Sequence, residues 1–303
     1  MPSKRLRQLT QKVFRSLGDK KMNTVKTYLL LAALTSLLLM TGQALGGNGG
    51  LLLALTFAVV MNVGSYWFSD TIVLRMHGAK QITKADSPEI FAMVERLVQK
   101  ANIPMPKLYI IADDSPNAFA TGRSPAKGAV AMTEGLLKVL SKDELEGVIA
   151  HELGHIAHRD TLIMTVSATI AGTLSSLGNM AMWGAIFGGR SNDEEEGGHP
   201  AAMLVSAIVA PFAAMLIQMA ISRSREFLAD EAAAQYSRKP WALASALRKI
   251  EIGSLQIPME SGSPATAHMY ISNPFSGGMA RLFSTHPPTA ERIARLEQMR
   301  QLA

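Results

Sequence analysis

The sequence predicts an α-rich α+β integral membrane protein, and three observations carry that reading. Apolar residues make up 48% of the 303-residue chain and mean hydropathy is +0.15, high for a soluble protein. The surplus is concentrated, since residues 27–69, 161–189 and 200–222 contain no Asp, Glu, Lys or Arg. Elsewhere the chain is ordinarily charged and shows short strand and helix patterns.

Taken in order, residues 1–26 are a basic cytoplasmic N-terminus with eight Lys and Arg directly ahead of the first apolar run. Positive-inside topology accounts for them, so the net charge of +6 is not read as a nucleic-acid signature. The basic region is too long, and a second apolar run follows too soon, for a cleaved signal peptide; a retained anchor is expected. Gly46, Gly47, Asn48, Gly49 and Gly50 divide residues 27–69 into two runs of about 19 residues each, near bilayer length. This predicts a transmembrane hairpin.

Residues 70–160 read as a water-facing domain. Ser87 and Pro88 sit as N-cap and first helical residue before the amphipathic run 89–101. Residues 107–112 alternate as a strand, and 117–121 and 129–132 are shorter candidate strands separated by the turn-rich 122–128. Ser141 with Glu144 forms a capping box opening a helix that runs through His158. Residues 161–222 are a second apolar hairpin joined by the acidic loop 190–199. Its Met180, Met182, glycines and Pro211 leave open whether it spans the bilayer or is embedded in it. Residues 223–303 are polar and mostly helical, with Pro240, and then Pro287 and Pro288, opening helices.

Lys and Arg lie on residues 1–26, 70–160 and 223–303, whereas the two connecting loops carry only Arg190. The three basic parts therefore belong together on the cytoplasmic side, with 190–199 outside. The absence of cysteine excludes disulfides, a thiol nucleophile and thiolate ligands, so any metal is held by His and carboxylate.

His151-Glu152-Leu153-Gly154-His155 lies inside the capped helix, so two imidazoles four residues apart project from one face and one ion can accept both. Glu152 is rotated off that line, where it can act as a base on water at the ion. Solvated histidines on an exposed helix give the same spacing; a third ligand separates the two readings. Glu226 supplies it on a charged helix over 222–236, with Asp230 one turn further on to accept a ring N–H of a ligand histidine. Three protein ligands for one zinc ion leave a position for water, and the chemistry expected is peptide hydrolysis without a covalent intermediate. His158 is read as structural, and His77, His199 and His268 as loop residues.

At these residues the sequence resembles the HtpX family of membrane zinc proteases, in the gluzincin group that also holds the CAAX prenyl endoproteases. The matching segments are the N-terminal hairpin, residues 116–122, 151–160, 222–230 and 285–292. The resemblance implies a gluzincin-type zinc protease domain in a bacterial cytoplasmic membrane, multi-pass, stress-inducible, with its site on the cytoplasmic side. It implies misfolded or damaged membrane proteins and other unfolded polypeptides as substrates, and quality-control proteins as partners. A membrane scaffold with a structural metal is the reading from another class. It is disfavoured because Glu152 stands beside an incomplete coordination sphere. A narrow processing peptidase is the alternative among enzymes.

Two further expectations concern the site. Asn117, Ala118, Phe119, Ala120 and Thr121 are read as an exposed edge strand to which an extended substrate adds. His286, ahead of the stiff Pro287-Pro288 pair, is read as the donor to the tetrahedral oxyanion or as a resting-state zinc ligand, with Arg292 buttressing it or pairing with a carboxylate near the site. A helix-start role for His286 is the structural alternative.

Overall fold

The structure is a computed structural model that describes residues 4–172, 223–261, 264–272 and 287–300. Helix α1 (Lys4–Met76) is helical throughout its bounds, yet it is not a straight rod. Asn62 Nδ2 donates to Thr35 Oγ1 at 2.7 Å across 27 residues, and the backbones of Gly42 and Gly50 touch. Both contacts require the chain to fold back near Gly47, whose φ of 52° lies in the left-handed region that glycine occupies without steric cost. The limb Gly47–Met76 is long and apolar enough to cross a membrane; Val25–Met40 is a shorter apolar helix.

A four-stranded mixed sheet follows, in the order β1-β2-β4-β3. It comprises β1 (Lys80–Ile82), β2 (Lys107–Ile111), β3 (Ala118–Thr121) and β4 (Ala129–Thr133). β2 and β4 are parallel and the outer pairs antiparallel. Strand alternation assigns the two faces. Leu108, Val130, Met132, Ala118 and Ala120 join one core with the helices that carry the site. Ile111, Ala129, Ala131 and Phe119 join a second core with Val73 and Leu74 at the end of α1. Three-residue β1 is too short to register as a sequence pattern, and the strand pairing reveals it.

Helix α2 (Pro88–Ala101) begins at Ser87 and Pro88 and stops at Asn102 in the left-handed region. Short α3 (Glu134–Val139) is capped by Thr133. α4 (Lys142–His158) opens with the full reciprocal capping box of Ser141 and Glu144. Helix α5 (Thr161–Gly172) is the described part of the second apolar stretch. Met164 and Ala168 place it in the second core, and ten of its twelve residues are buried. The remainder of that stretch, with His199, lies outside the described residues. α6 (Arg223–Ser237), α7 (Pro240–Gln256) and α8 (Thr289–Arg300) complete the description. α4 lies between the sheet and α6, and Gly154 is what lets the two helices approach. A Cβ there would stand 3.1 Å from Ala232 Cβ and 3.2 Å from Ala229 Cα.

Candidate metal centre

α4 and α6 present the three donors. One nitrogen each from His151 and His155 and one oxygen of Glu226 all lie within 4.8 Å of one another, and the three residues are buried. The two Nε2 atoms are 3.2 Å apart. Two imidazoles on one tetrahedral ion with bonds of roughly 2.0–2.1 Å would place their nitrogens about 3.3 Å apart, so the pair is already at ligand spacing. Glu226 approaches His151 Nε2 at 3.7 Å and His155 Nε2 at 3.5 Å.

Each ring is aimed by a carboxylate on its other nitrogen. Asp230 Oδ1 is 3.0 Å from His151 Nδ1, the pairing expected of it, and Asp160 Oδ2 is 3.2 Å from His155 Nδ1. With both Nδ1–H groups assigned to these acceptors, both Nε2 atoms face the centre. Asp160 was not anticipated. Arg159 ends α4 in the left-handed region at φ 62°, which turns the chain so that Asp160 N donates back to His155 O and its carboxylate reaches the ring.

Asp230 is held by Arg292 of α8. Nε donates to Oδ2 at 2.9 Å and Nη2 to Oδ1 at 2.7 Å, a two-pronged pairing that locks the carboxylate plane. Arg292 also donates to Ile271 O at 3.0 Å and lies 3.5 Å from Glu226. Of the two roles considered for it, pairing with a carboxylate is the one seen. His286, six positions earlier in the chain, lies outside the described residues.

The electrostatics favour a cation between the rings. Burial, with Arg292 nearby, brings His151 down to about 4, so its imidazole is neutral, as a ligand must be. Burial alone would lower His155 too, but the hydrogen bond to Asp160 and the charge of Glu226 overcome it and hold His155 at about 9. Burial raises Asp230 in isolation, yet Arg292 outweighs it and keeps the carboxylate ionised. The donor set therefore fits a divalent ion that takes the place of the extra proton on His155: two rings each aimed through Nδ1, one carboxylate, and surroundings that already favour positive charge.

Glu152 is buried one residue past His151. Burial pushes its carboxyl up to about 7, against the opposing influence of His155, Arg292 and a hydrogen bond from the Ala120 backbone N–H. That bond brings β3 to the site. Among the described residues β3 is an edge strand of the sheet, paired as a strand with β4 alone, but its residues are buried rather than exposed as expected. Ile271 N donates to Ala118 O at 3.2 Å, and Asn117 Nδ2 donates to Ser272 O at 2.9 Å, so the segment after Met269 lies along the open edge. His77 and His268 are also buried. His77, in the turn after α1, contacts Val73 O and Thr266 Oγ1, and His268, in a 3-10 turn over Pro264–Met269, contacts Met164 O, so both pin their connecting segments to the core.

Two histidines one helical turn apart, a distant glutamate and a buried second glutamate beside them make up a centre of the metalloprotease kind. Comparison with known proteins gives the same class. The pattern of Peptidase family M48 matches residues 84–300, and the chain belongs to that family. It is 53% identical over 277 residues to a protein named Protease HtpX homolog from Syntrophobacter fumaroxidans, covering 90% of this chain and 98% of that one. It is 52% identical over 276 residues to the protein of the same name from Pyrococcus furiosus, covering 91% and 95%. The crystal structure of S. mikatae Ste24p aligns with a TM-score of 0.51 at 17% identity, over 93% of this chain and 67% of that one, which shows a shared fold.

Proposed function

We propose that the chain is a membrane-bound zinc endopeptidase that cleaves misfolded or damaged membrane proteins on the cytoplasmic side of a bacterial inner membrane, with one zinc ion per chain. The convergence of His151, His155 and Glu226 beside buried Glu152 carries the reading. When bound, zinc supplies a Lewis acid for the scissile carbonyl and a water acidified towards pKa ~7. Glu152 takes a proton from the attacking water and later delivers it to the leaving amine. Asp230 and Asp160 keep the rings aimed while charge shifts, and Arg292 holds Asp230 still.

Substrate recognition is assigned to β3, residues 117–121. An extended chain that takes the Ala120 N–H withdraws it from Glu152, and the freed carboxylate can turn to water. The same chain displaces Ile271 from Ala118 O. Recognition through the main chain supports broad specificity, suited to unfolded polypeptides. His286 is assigned as oxyanion donor or resting-state ligand; full turnover and unchanged zinc affinity in His286→Ala would remove both roles.

The deciding experiment incubates detergent-solubilised protein with an unfolded membrane protein, with zinc and with a chelator. Glu152→Gln is expected to keep zinc and lose roughly 10²- to 10⁴-fold in rate, while Glu226→Ala loses the metal itself. Equal zinc content in Glu226→Ala and the parent removes Glu226 from the ligands. Topology is tested on the cysteine-free chain: an impermeant thiol reagent should label Ser191→Cys but not Ser284→Cys in intact cells, and the opposite pattern refutes the orientation.

A further inference from the structure

The last turn of α7 and the residues after it carry an apolar patch that no described element covers: Ile252, Leu255 and Ile257 are 56%, 68% and 48% exposed. Such a patch on a well-packed domain marks a contact surface. Its position names the partner. Asp113 Oδ2 accepts from Glu260 N at 3.2 Å and Ser261 N at 2.9 Å, and Asp113 stands at the end of β2, close enough to influence His77 just past α1. β1, which follows His77 directly, pairs Lys80 with Ile110. Met259 is buried in the same core as Val73 and Leu74 of the last turns of α1. The patch therefore sits beside the point where the proposed membrane limb enters the protease domain.

That end of α1 has the marks of a bilayer boundary. Tyr66 and Trp67 form an aromatic pair, Asp70 is the first charged residue of the limb, and Arg75 and Lys80 follow. The exposed apolar surface does not stop at Asp70 but continues through Ile72 and Met76. Ile252, Leu255 and Ile257 add exposed apolar area on the segment that leads to Met259, which packs with Val73 and Leu74. We propose that this patch is a second membrane contact beside the α1 limb, additional to the hairpin expected over residues 161–222, lying in the interfacial layer of the bilayer and helping to fix the height and tilt of the protease domain above it. The inference rests on the reading of Gly47–Met76 as a membrane span. Glu251 and Glu260, both exposed, flank the patch, so insertion is shallow and depends on apolar area rather than on anionic lipid.

The test uses spin-labelled single cysteines in nanodiscs of neutral lipid, reading collision with oxygen against collision with a water-soluble nickel chelate. Val60→Cys, on the exposed face of the limb, reports the bilayer; Val139→Cys and Trp241→Cys, exposed apolar positions elsewhere on the domain, report water. Labels at Ile252 and Leu255 are expected to favour oxygen several-fold over the labels at Val139 and Trp241, in neutral lipid as in anionic lipid. If the Leu255 label is as open to nickel as the Val139 label while the Val60 label is in lipid, the second contact is refuted and the span stands. If the Leu255 label is open to nickel until an unfolded polypeptide is added to Glu152→Gln protein, the patch belongs to substrate, which also overturns the proposal. A Val60 label in water removes the span and the inference together.

Discussion

Helix α4 carries a polar network at each end, and the two are built differently. At its start, Glu144 accepts from Ser141 N at 2.7 Å, Ser245 Oγ at 2.7 Å and Lys249 Nζ at 2.8 Å, with Lys249 nearly half exposed. At its end, His151, His155, Asp160, Glu226, Asp230 and Arg292 are all buried. Water can replace a lost partner in the first network and cannot in the second. The first is therefore a local fastening of modest value. In the second, each charge depends on its neighbours, and removing one strands the others.

The largest effect is expected where that dependence is greatest. Arg292→Ala leaves Asp230 and Glu226 buried without their guanidinium, a loss of about 3–5 kcal/mol in stability. Arg292→Lys should recover little, because an ammonium cannot donate to Asp230 in two prongs and to Ile271 O together. Denaturant unfolding in detergent reads both; a loss under 1 kcal/mol in Arg292→Ala would mean that the two ends of α4 do not differ in kind.

Asp230→Asn and Asp160→Asn sharpen the comparison within the buried end. Each removes the charge that orients a ligand ring, and each should weaken metal binding roughly 10- to 100-fold. Asp230 also takes the two-pronged pairing of Arg292, at 2.9 and 2.7 Å, so Asp230→Asn disturbs a buried guanidinium as well as a ring and is expected to do more. Competitive titration with a chromophoric chelator measures both, and an inverted order would assign the stiffer arm to His155.

Gly154→Ala tests the spacing between the helices without touching a charge. The added methyl meets Ala232 Cβ at 3.1 Å, so α4 and α6 must separate by a few tenths of an ångström, an overpacking that costs roughly 1–3 kcal/mol. Because His151 and His155 ride on one helix and Glu226 on the other, metal affinity should fall along with stability. Unchanged affinity would show that the donors do not depend on that approach.

What could be read beforehand follows the same division. Ser141 and Glu144 are three residues apart, and the two histidines four, so spacing alone exposed them. Glu226 and Asp230 needed only the assumption of a second helix. Asp160 depended on a left-handed turn at Arg159, a non-glycine residue that carries no sequence signal for φ > 0. Its position five residues past His155, just beyond the helix, was the available clue. A carboxylate partner for Arg292 was one of two roles expected, but its identity was not legible, because Arg292 reaches Asp230 across 62 residues and such a separation offers no periodicity to read. The burial of β3 escaped for a related reason: the segment that lies along it, Tyr270 to Ser272, has no strand pattern and is placed by two hydrogen bonds. Thr161–Gly172 shows why spanning and protein-covered hairpins could not be told apart beforehand, since a helix packed in protein is as apolar as one in lipid.

The smallest effect belongs to the start of α4, and it carries a pH dependence. Burial of Glu144 would raise its carboxyl, but Lys249, Ser245 and Ser141 outweigh burial and hold it at about 2, below the usual value near 4.5. A carboxylate whose folded value is depressed adds stability that is fully present above the unfolded value and is lost as pH falls through the folded one. Glu144→Gln keeps the geometry of the capping box and removes the charge. It should therefore cost about 1 kcal/mol at pH 7, since the partner Lys249 is substantially solvated. That difference should hold from pH 7 to about pH 5, then shrink below about pH 4.5 as the parent's own Glu144 takes up its proton on unfolding. Thermal melts of both proteins, with metal chelated throughout so that the other end of the helix contributes equally, measure the difference at each pH. A gap that stays constant down to pH 3 would show that Glu144 contributes through its shape and hydrogen bonds, and not through its charge.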